Sequence, residues 1–239
     1  MKNQLKALGA VLALAFSVNA SATLVIDNFA ADQAKISDGT IDGVATSSQI
    51  AAAVLGGYRD LIVEKKTGAT STAKLTSMLV DSGELSFSND SGVAGTGIVR
   101  WDGANAGMAI NATGLGGVDL TGYGNAFVFD VTVADGPFSF ILSAYTSAAQ
   151  YSEYVLSGTG PGVYSITFGD LITPSSSLTT VGGGVDLANL GALQLTIDPT
   201  AVALNLDLSI DTVSIPEPAS LALVGLSLLG LGVMRRRQA

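Results

Sequence analysis

Three features of this sequence predict an all-β fold, an antiparallel β-sandwich. Apolar residues recur at period two over many short runs, Gly/Asn/Asp clusters punctuate those runs, and no strand–helix–strand rhythm intervenes. Glycine is abundant at 29 residues and proline scarce at 6, a balance that suits short turns between strands.

Taken in chain order, residues 47–57 alone have helical character, with Ser47 or Ser48 as a cap and Gly56-Gly57 as a stop. Residues 61–63, 77–80 and 85–87 are short β-type runs. Residues 97–101 form another, with Ile98 and Arg100 on one face and Val99 and Trp101 on the other. The strongest runs are 126–133, 138–145, 151–156, 163–168, 193–197 and 202–213. In the last, Val202, Leu204, Leu206, Leu208 and Ile210 alternate with Ala203, Asn205, Asp207, Ser209 and Asp211. Such alternation predicts one buried and one wet face. Turn signals stand at 89–92, 102–103, 135–137, 158–162 and 182–184.

The two ends carry signals of their own. Lys2 and Lys6 precede an apolar stretch at 7–18, and Ala20-Ser21-Ala22 supplies the small residues that a signal peptidase requires. A secretory signal helix over 1–22, cleaved after Ala22, is the expectation. At the other end Pro216-Glu217-Pro218 leads into an apolar run over 219–234 and then Arg235, Arg236 and Arg237. As a helix that run reaches about 24 Å, against a hydrocarbon core of roughly 30 Å. Long arginine side chains reaching for the head groups recover part of the deficit. A C-terminal transmembrane helix with its arginines held in the cytoplasm is expected. The organisation predicted is a signal at 1–22, a sandwich domain at 23–214 and a terminal segment at 215–239, with no low-complexity linker between the last two.

Composition narrows the chemistry. The body at 23–214 holds six basic residues against 19 acidic ones, a net charge of −13, and no Lys or Arg occurs between Arg100 and Arg235. Such a surface repels phosphate backbones, so nucleic acid is not an expected partner. The chain contains no histidine and no cysteine. Imidazole bases, Ser-His-Asp hydrolysis, thiolate nucleophiles and His- or Cys-ligated metals are thereby excluded. Carboxylates remain, yet the body has three glutamates, Glu64, Glu84 and Glu153, and no spacing nominates a catalytic pair.

Candidate ligand residues are few. Trp101, the lone tryptophan, ends a strand beside a polar turn, where an indole face can stack on a sugar; the alternative is a tryptophan closing one end of the core. Tyr145 and Tyr151, with Tyr154, offer a second aromatic surface. Asp27 on the first strand and Asp207 and Asp211 on the last would form a carboxylate cluster suited to calcium if the terminal strands pair. No other cofactor is expected.

The ordered Pro-Glu-Pro box, apolar helix and arginine cluster resemble the sorting signal of the PEP-CTERM family. That resemblance implies an exosortase-type membrane transpeptidase as partner, transient residence in the inner membrane, and a destination at the cell surface or outside the cell. Leu24-Val25-Ile26-Asp27-Asn28-Phe29 resembles the first strand of jelly-roll carbohydrate-binding domains. Gly56-Gly57-Tyr58-Arg59-Asp60-Leu61, Trp101-Asp102-Gly103 and residues 114–120 resemble a body type recurring among PEP-CTERM proteins. Together these imply a jelly-roll sandwich in a non-enzymatic, exported protein associated with polysaccharide or biofilm matrix. The alternative is a carbohydrate-active enzyme on the same sandwich.

Overall fold

Alternation along the strands builds two facing sheets whose inner side chains meet in one core. The computed structural model describes residues 23–51, 53–71, 73–105, 109–198 and 200–217. The first sheet comprises β1 (Leu24–Asp27), β2 (Gln33–Asp38), β5 (Thr76–Asp81), β6 (Glu84–Asn89), β8 (Ala126–Ala134), β11 (Gly162–Thr167) and β14 (Asp207–Ile215). The second comprises β3 (Ala45–Ile50), β4 (Tyr58–Thr67), β7 (Ala94–Trp101), β9 (Phe138–Ser147), β10 (Gln150–Gly158), β12 (Leu178–Val181) and β13 (Ala192–Ile197). The first runs β11-β8-β14-β6-β5-β2, with β1 also paired to β14; the second runs β12-β10-β9-β13-β7-β4-β3. The ladders between named strands are antiparallel. One short helix, α1 (Phe168–Ile172), starts at a capping box. Asp170 N–H donates to Thr167 Oγ1, and Thr167 N–H donates to the Asp170 carboxylate.

Phe127, Phe129 and Val131 of β8 and Leu85 and Phe87 of β6 face Phe140 and Leu142 of β9 and Leu193, Leu195 and Ile197 of β13, all buried. Phe129 and Phe140 meet with ring centroids 5.7 Å apart. Burial of each such side chain stabilises the fold by about 1.5–3 kcal/mol. Gly97 in β7 lets the layers close: a Cβ there would lie 2.4 Å from Met78 Cε and 2.7 Å from Phe87 Cδ2.

The terminal strands pair, with Leu24 opposite Ile215 and Val25 opposite Ser214. β14 also shows why alternation alone misreads its phase. Leu208 and Ile210 point inward, a register shift lies between Ile210 and Thr212, and Val213 and Ile215 then continue the buried side.

Two expectations are corrected. Residues 47–57 are not a helix. Ala45–Ile50 pairs along β4 from Ala45 opposite Val63 to Ile50 opposite Tyr58, and only Leu55–Gly57 makes a 3₁₀ turn. Six ladder pairs outweigh the weak helical preference of Thr46, Ser47 and Ser48, and Gly56 and Gly57, at φ 74° and 77°, lie inside the turn instead of stopping a helix. Residues 202–206 are not strand. Ala201 and Asn205 adopt φ 48° and 60°, and Val202 and Leu204 are exposed. The predicted signal helix and transmembrane helix lie outside the described residues, and among those described no helix is long and apolar enough to cross a membrane.

Candidate functional site

Two groups of side chains stand out, one inside the sandwich and one on its outer face. The inner group gathers residues from three separate sequence motifs. Arg59 and Asp27, both without exposed surface, form an ion pair across the two sheets at 3.1 Å. The Asp27 carboxylate also accepts from the Trp101 indole at 2.9 Å and from the Phe29 N–H at 2.8 Å. Arg59 Nε donates to Gln33 Oε1 at 2.9 Å, its Nη2 donates to the Ala31 carbonyl, and its guanidinium lies 5.6 Å from the Phe29 ring centroid. Phe29 itself sits at φ 51°, a conformation unfavourable for an aromatic residue and fixed here by these contacts. With both ions fully buried and paired with each other, the arrangement staples β1 to the second sheet and presents no exposed surface to a ligand.

Trp101 is therefore a core residue. It has no exposed surface and its polar edge is committed to Asp27, so the sugar-stacking expectation for it is corrected. The proposed calcium cluster is corrected as well. Asp27 pairs with Arg59, Asp207 accepts from Ser88 Oγ at 2.5 Å, and Asp211 accepts from Thr212 Oγ1 at 3.0 Å. β1 does meet β14, but Asp27 sits opposite Val213 while Asp207 sits opposite Ser88. Among the described residues no group of three acidic side chains is placed to hold a metal ion.

The outer group lies on the face of the second sheet that points away from the core. Cross-strand register aligns Ser48, Asp60, Arg100, Gln194, Ser143, Glu153 and Thr179 in one row across all seven strands. Within it Arg100 Nε donates to Gln194 Oε1 at 2.7 Å and Ser143 Oγ donates to Glu153 Oε1 at 3.0 Å. Burial pulls the Arg100 guanidinium below its ordinary range, against the opposing charges of Asp102 and then Asp60. Asp102 is itself held by the N–H groups of Ala104 and Asn111.

One row along, Tyr145 of β9 and Tyr151 of β10 are directly opposite, with centroids 5.0 Å apart and planes inclined by 32°. Both are half-buried. Burial, then the Glu153 carboxylate, raises the Tyr145 phenol above its usual value. Tyr154 has the opposite parity and packs against the core.

Sequence reasoning found the tyrosine pair but missed Gln194, Ser143 and Glu153. The signal available was period two: once Trp101 faces the core, Arg100 and every residue in register with it must lie on the opposite face of the sheet.

The C-terminal box adjoins the fold directly. Ile215 is fully buried in β14, Pro216 follows it, and Glu217 is exposed.

Comparison with known proteins gives two kinds of match. The PEP-CTERM protein-sorting motif matches residues 214–237. No curated protein matches the chain. Solved structures similar to it include a family 11 carbohydrate-binding module from Clostridium thermocellum in complex with a β-1,3-1,4-mixed-linked tetrasaccharide. That pair is 12% identical over 84% of this chain and 99% of the module, with a TM-score of 0.40. A family 29 carbohydrate-binding module is 9% identical over 74% of this chain and 96% of the module, at 0.34. An exo-β-agarase is 13% identical over 83% of this chain and 25% of the enzyme, at 0.40.

Proposed function

We propose, from the PEP-CTERM protein-sorting motif that this chain carries at 214–237, that it is an exported, non-enzymatic protein whose sandwich binds polysaccharide at the cell surface or in the surrounding matrix. The sorting motif supplies the address and implies an exosortase-type processing partner. The observation that carries the binding role is the Tyr145–Tyr151 pair, in register and half-buried beside a polar row. Adjacent aromatic rings give sugar C–H faces a platform, and the accessible Gln194 amide, Glu153 carboxylate and Thr179 hydroxyl orient sugar hydroxyls.

The outer face spaces the two carboxylates of its polar row too widely for them to act together as a glycosidase pair. Asp60 and Glu153 share its polar row, but four strand spacings separate β4 from β10, about 19 Å at ~4.8 Å each. A glycosidase pair stands roughly 5–9.5 Å apart.

The test is affinity electrophoresis and calorimetry of the purified protein with a polysaccharide panel that includes the host's own matrix. Retardation by at least one polysaccharide, lost in the Tyr145→Ala/Tyr151→Ala double variant, is expected. No retardation by any, or equal retardation of the variant, overturns the binding role. Release of reducing sugar would favour the enzyme instead.

A further inference from the structure

The sorting box is joined to the sandwich without a spacer, and the strand that leads into it is the one most tightly held in the first sheet. β14 lies between β8 on one side and β6 and β1 on the other. Its last residues stay paired to the end: Ser214 faces Val128 and Val25, and Ile215 faces Leu24. Val213 and Ile215 have 1% and 0% of their surface exposed. The hold extends to Pro216, because Gly124 approaches it so closely that a Cβ there would lie 2.0 Å from the Pro216 carbonyl oxygen and 3.0 Å from Ile215 Cγ2. The matched motif, which begins at residue 214, thus overlaps the sheet by two residues.

A processing enzyme that grips the box has to accommodate several residues of extended chain on the upstream side of the box, whichever bond it cuts. At about 3.3 Å per residue, three such residues need roughly 10 Å of free strand. Upstream of Pro216 that length is Val213, Ser214 and Ile215, which are committed to β8 and β1. The same chain cannot be in the sheet and in an enzyme cleft.

We propose that opening of the β1–β14 seam gates processing, so that the transpeptidase acts on chains whose last strand has not docked or has locally opened. The inference rests on the sorting reading above. In the covalent step one peptide C–N bond breaks: the upstream carbonyl passes to the enzyme's nucleophile and then to water or an amine acceptor. The downstream segment leaves as an amine that takes up a proton. No oxidant or reductant is involved. Local opening in the folded state is an equilibrium, so its free energy enters the processing rate directly. The consequence is a built-in delay that ties release from the membrane to the stability of one seam.

The experiment follows the full-length chain in its native host by pulse-chase, reading the mass shift on processing. Three variants move the gate and leave the Pro-Glu-Pro box intact. A flexible Gly/Ser spacer of about ten residues between Ile215 and Pro216 frees the box from the sheet; processing about tenfold faster is expected. Gly124→Ala pushes on the Pro216 carbonyl from outside the motif and should also accelerate processing, about threefold. Val25→Cys with Ser214→Cys staples the seam in a chain that has no other cysteine; processing should fall at least about tenfold and recover with reductant or when the spacer is added. Wild-type rates in the spacer and stapled variants would overturn the gate. Glu217→Ala separates the two readings: if that variant is processed normally, the sorting reading fails; if it blocks processing with and without the spacer, the sorting reading stands and the spacer result alone judges the gate.

Discussion

Asp27 and Trp101 lie 74 residues apart in sequence and 2.9 Å apart in space, carboxylate oxygen to indole nitrogen. With Arg59 they convert three separate motifs into one internal clamp, and that clamp decides what each residue can do.

Removing one charge from the clamp should be costly. Asp27→Ala leaves the Arg59 guanidinium buried without its counter-ion, a loss of about 3–5 kcal/mol. Equilibrium urea unfolding, followed by the emission of Trp101, measures it. The Asp27→Leu/Arg59→Met double variant should lose much less than the sum of the single changes, because it leaves no stranded charge.

Trp101→Ala should act on stability and not on ligand affinity. A fully buried tryptophan replaced by alanine costs about 3–5 kcal/mol. Tyr151→Ala, on the outer face, should cost about 1 kcal/mol or less in stability and weaken polysaccharide binding about tenfold. Parallel unfolding curves and binding isotherms separate the two outcomes.

Lys65 is a second internal fastening. Its ammonium has no exposed surface and donates to the carbonyls of Gly39, Ala69 and Lys74, at 3.2, 2.5 and 2.6 Å. Lys65→Met keeps the stem but leaves three part-buried carbonyls without their charged donor, and should destabilise by about 1–3 kcal/mol. The loop from 68 to 75 should become the first segment to exchange its amide protons.

Alkali should loosen the outer face. The Tyr145 phenol is raised, first by burial and then by Glu153, so the folded state keeps its proton where the unfolded chain has lost it. The unfolded state then binds fewer protons, and stability falls as pH rises through the ordinary tyrosine value of about 10. Below that value the effect is absent. Tyr145→Phe should flatten the decline in Tm between pH 9 and 11, approximately.

How much of this was legible in the sequence follows from what alternation encodes. Runs such as 126–133 and 193–197 carry a buried face in their own pattern, and the strands appear there. β2, β3 and β12 were not read as strands. Each lies at an edge of its sheet and has a poor apolar pattern, so its partner and not its own composition makes it a strand. The phase change in β14 was invisible because a bulge is set by the neighbouring strands. Asp27 looked available to a cation because Arg59 is 32 residues away, and no local spacing announces that pair. The tyrosines could be read as a pair only as far as hairpin register could be guessed. Arg100 and Gln194, 94 residues apart, could not.

Arg59, Lys65 and Arg100 have a shared fate with a bearing on life outside the cell. All three are buried, and no further Lys or Arg follows until Arg235. A trypsin-like protease attacking the folded body therefore finds Lys35 and Lys66 engaged in strands and Lys74 in the loop before β5. That loop is the one fastened from within by Lys65. More than half of the chain, from 101 to 234, presents no such cleavage site at all. Digestion should yield at most a single nick whose two pieces stay joined through the sheets, a durability written in where the cations are placed and not in any disulfide.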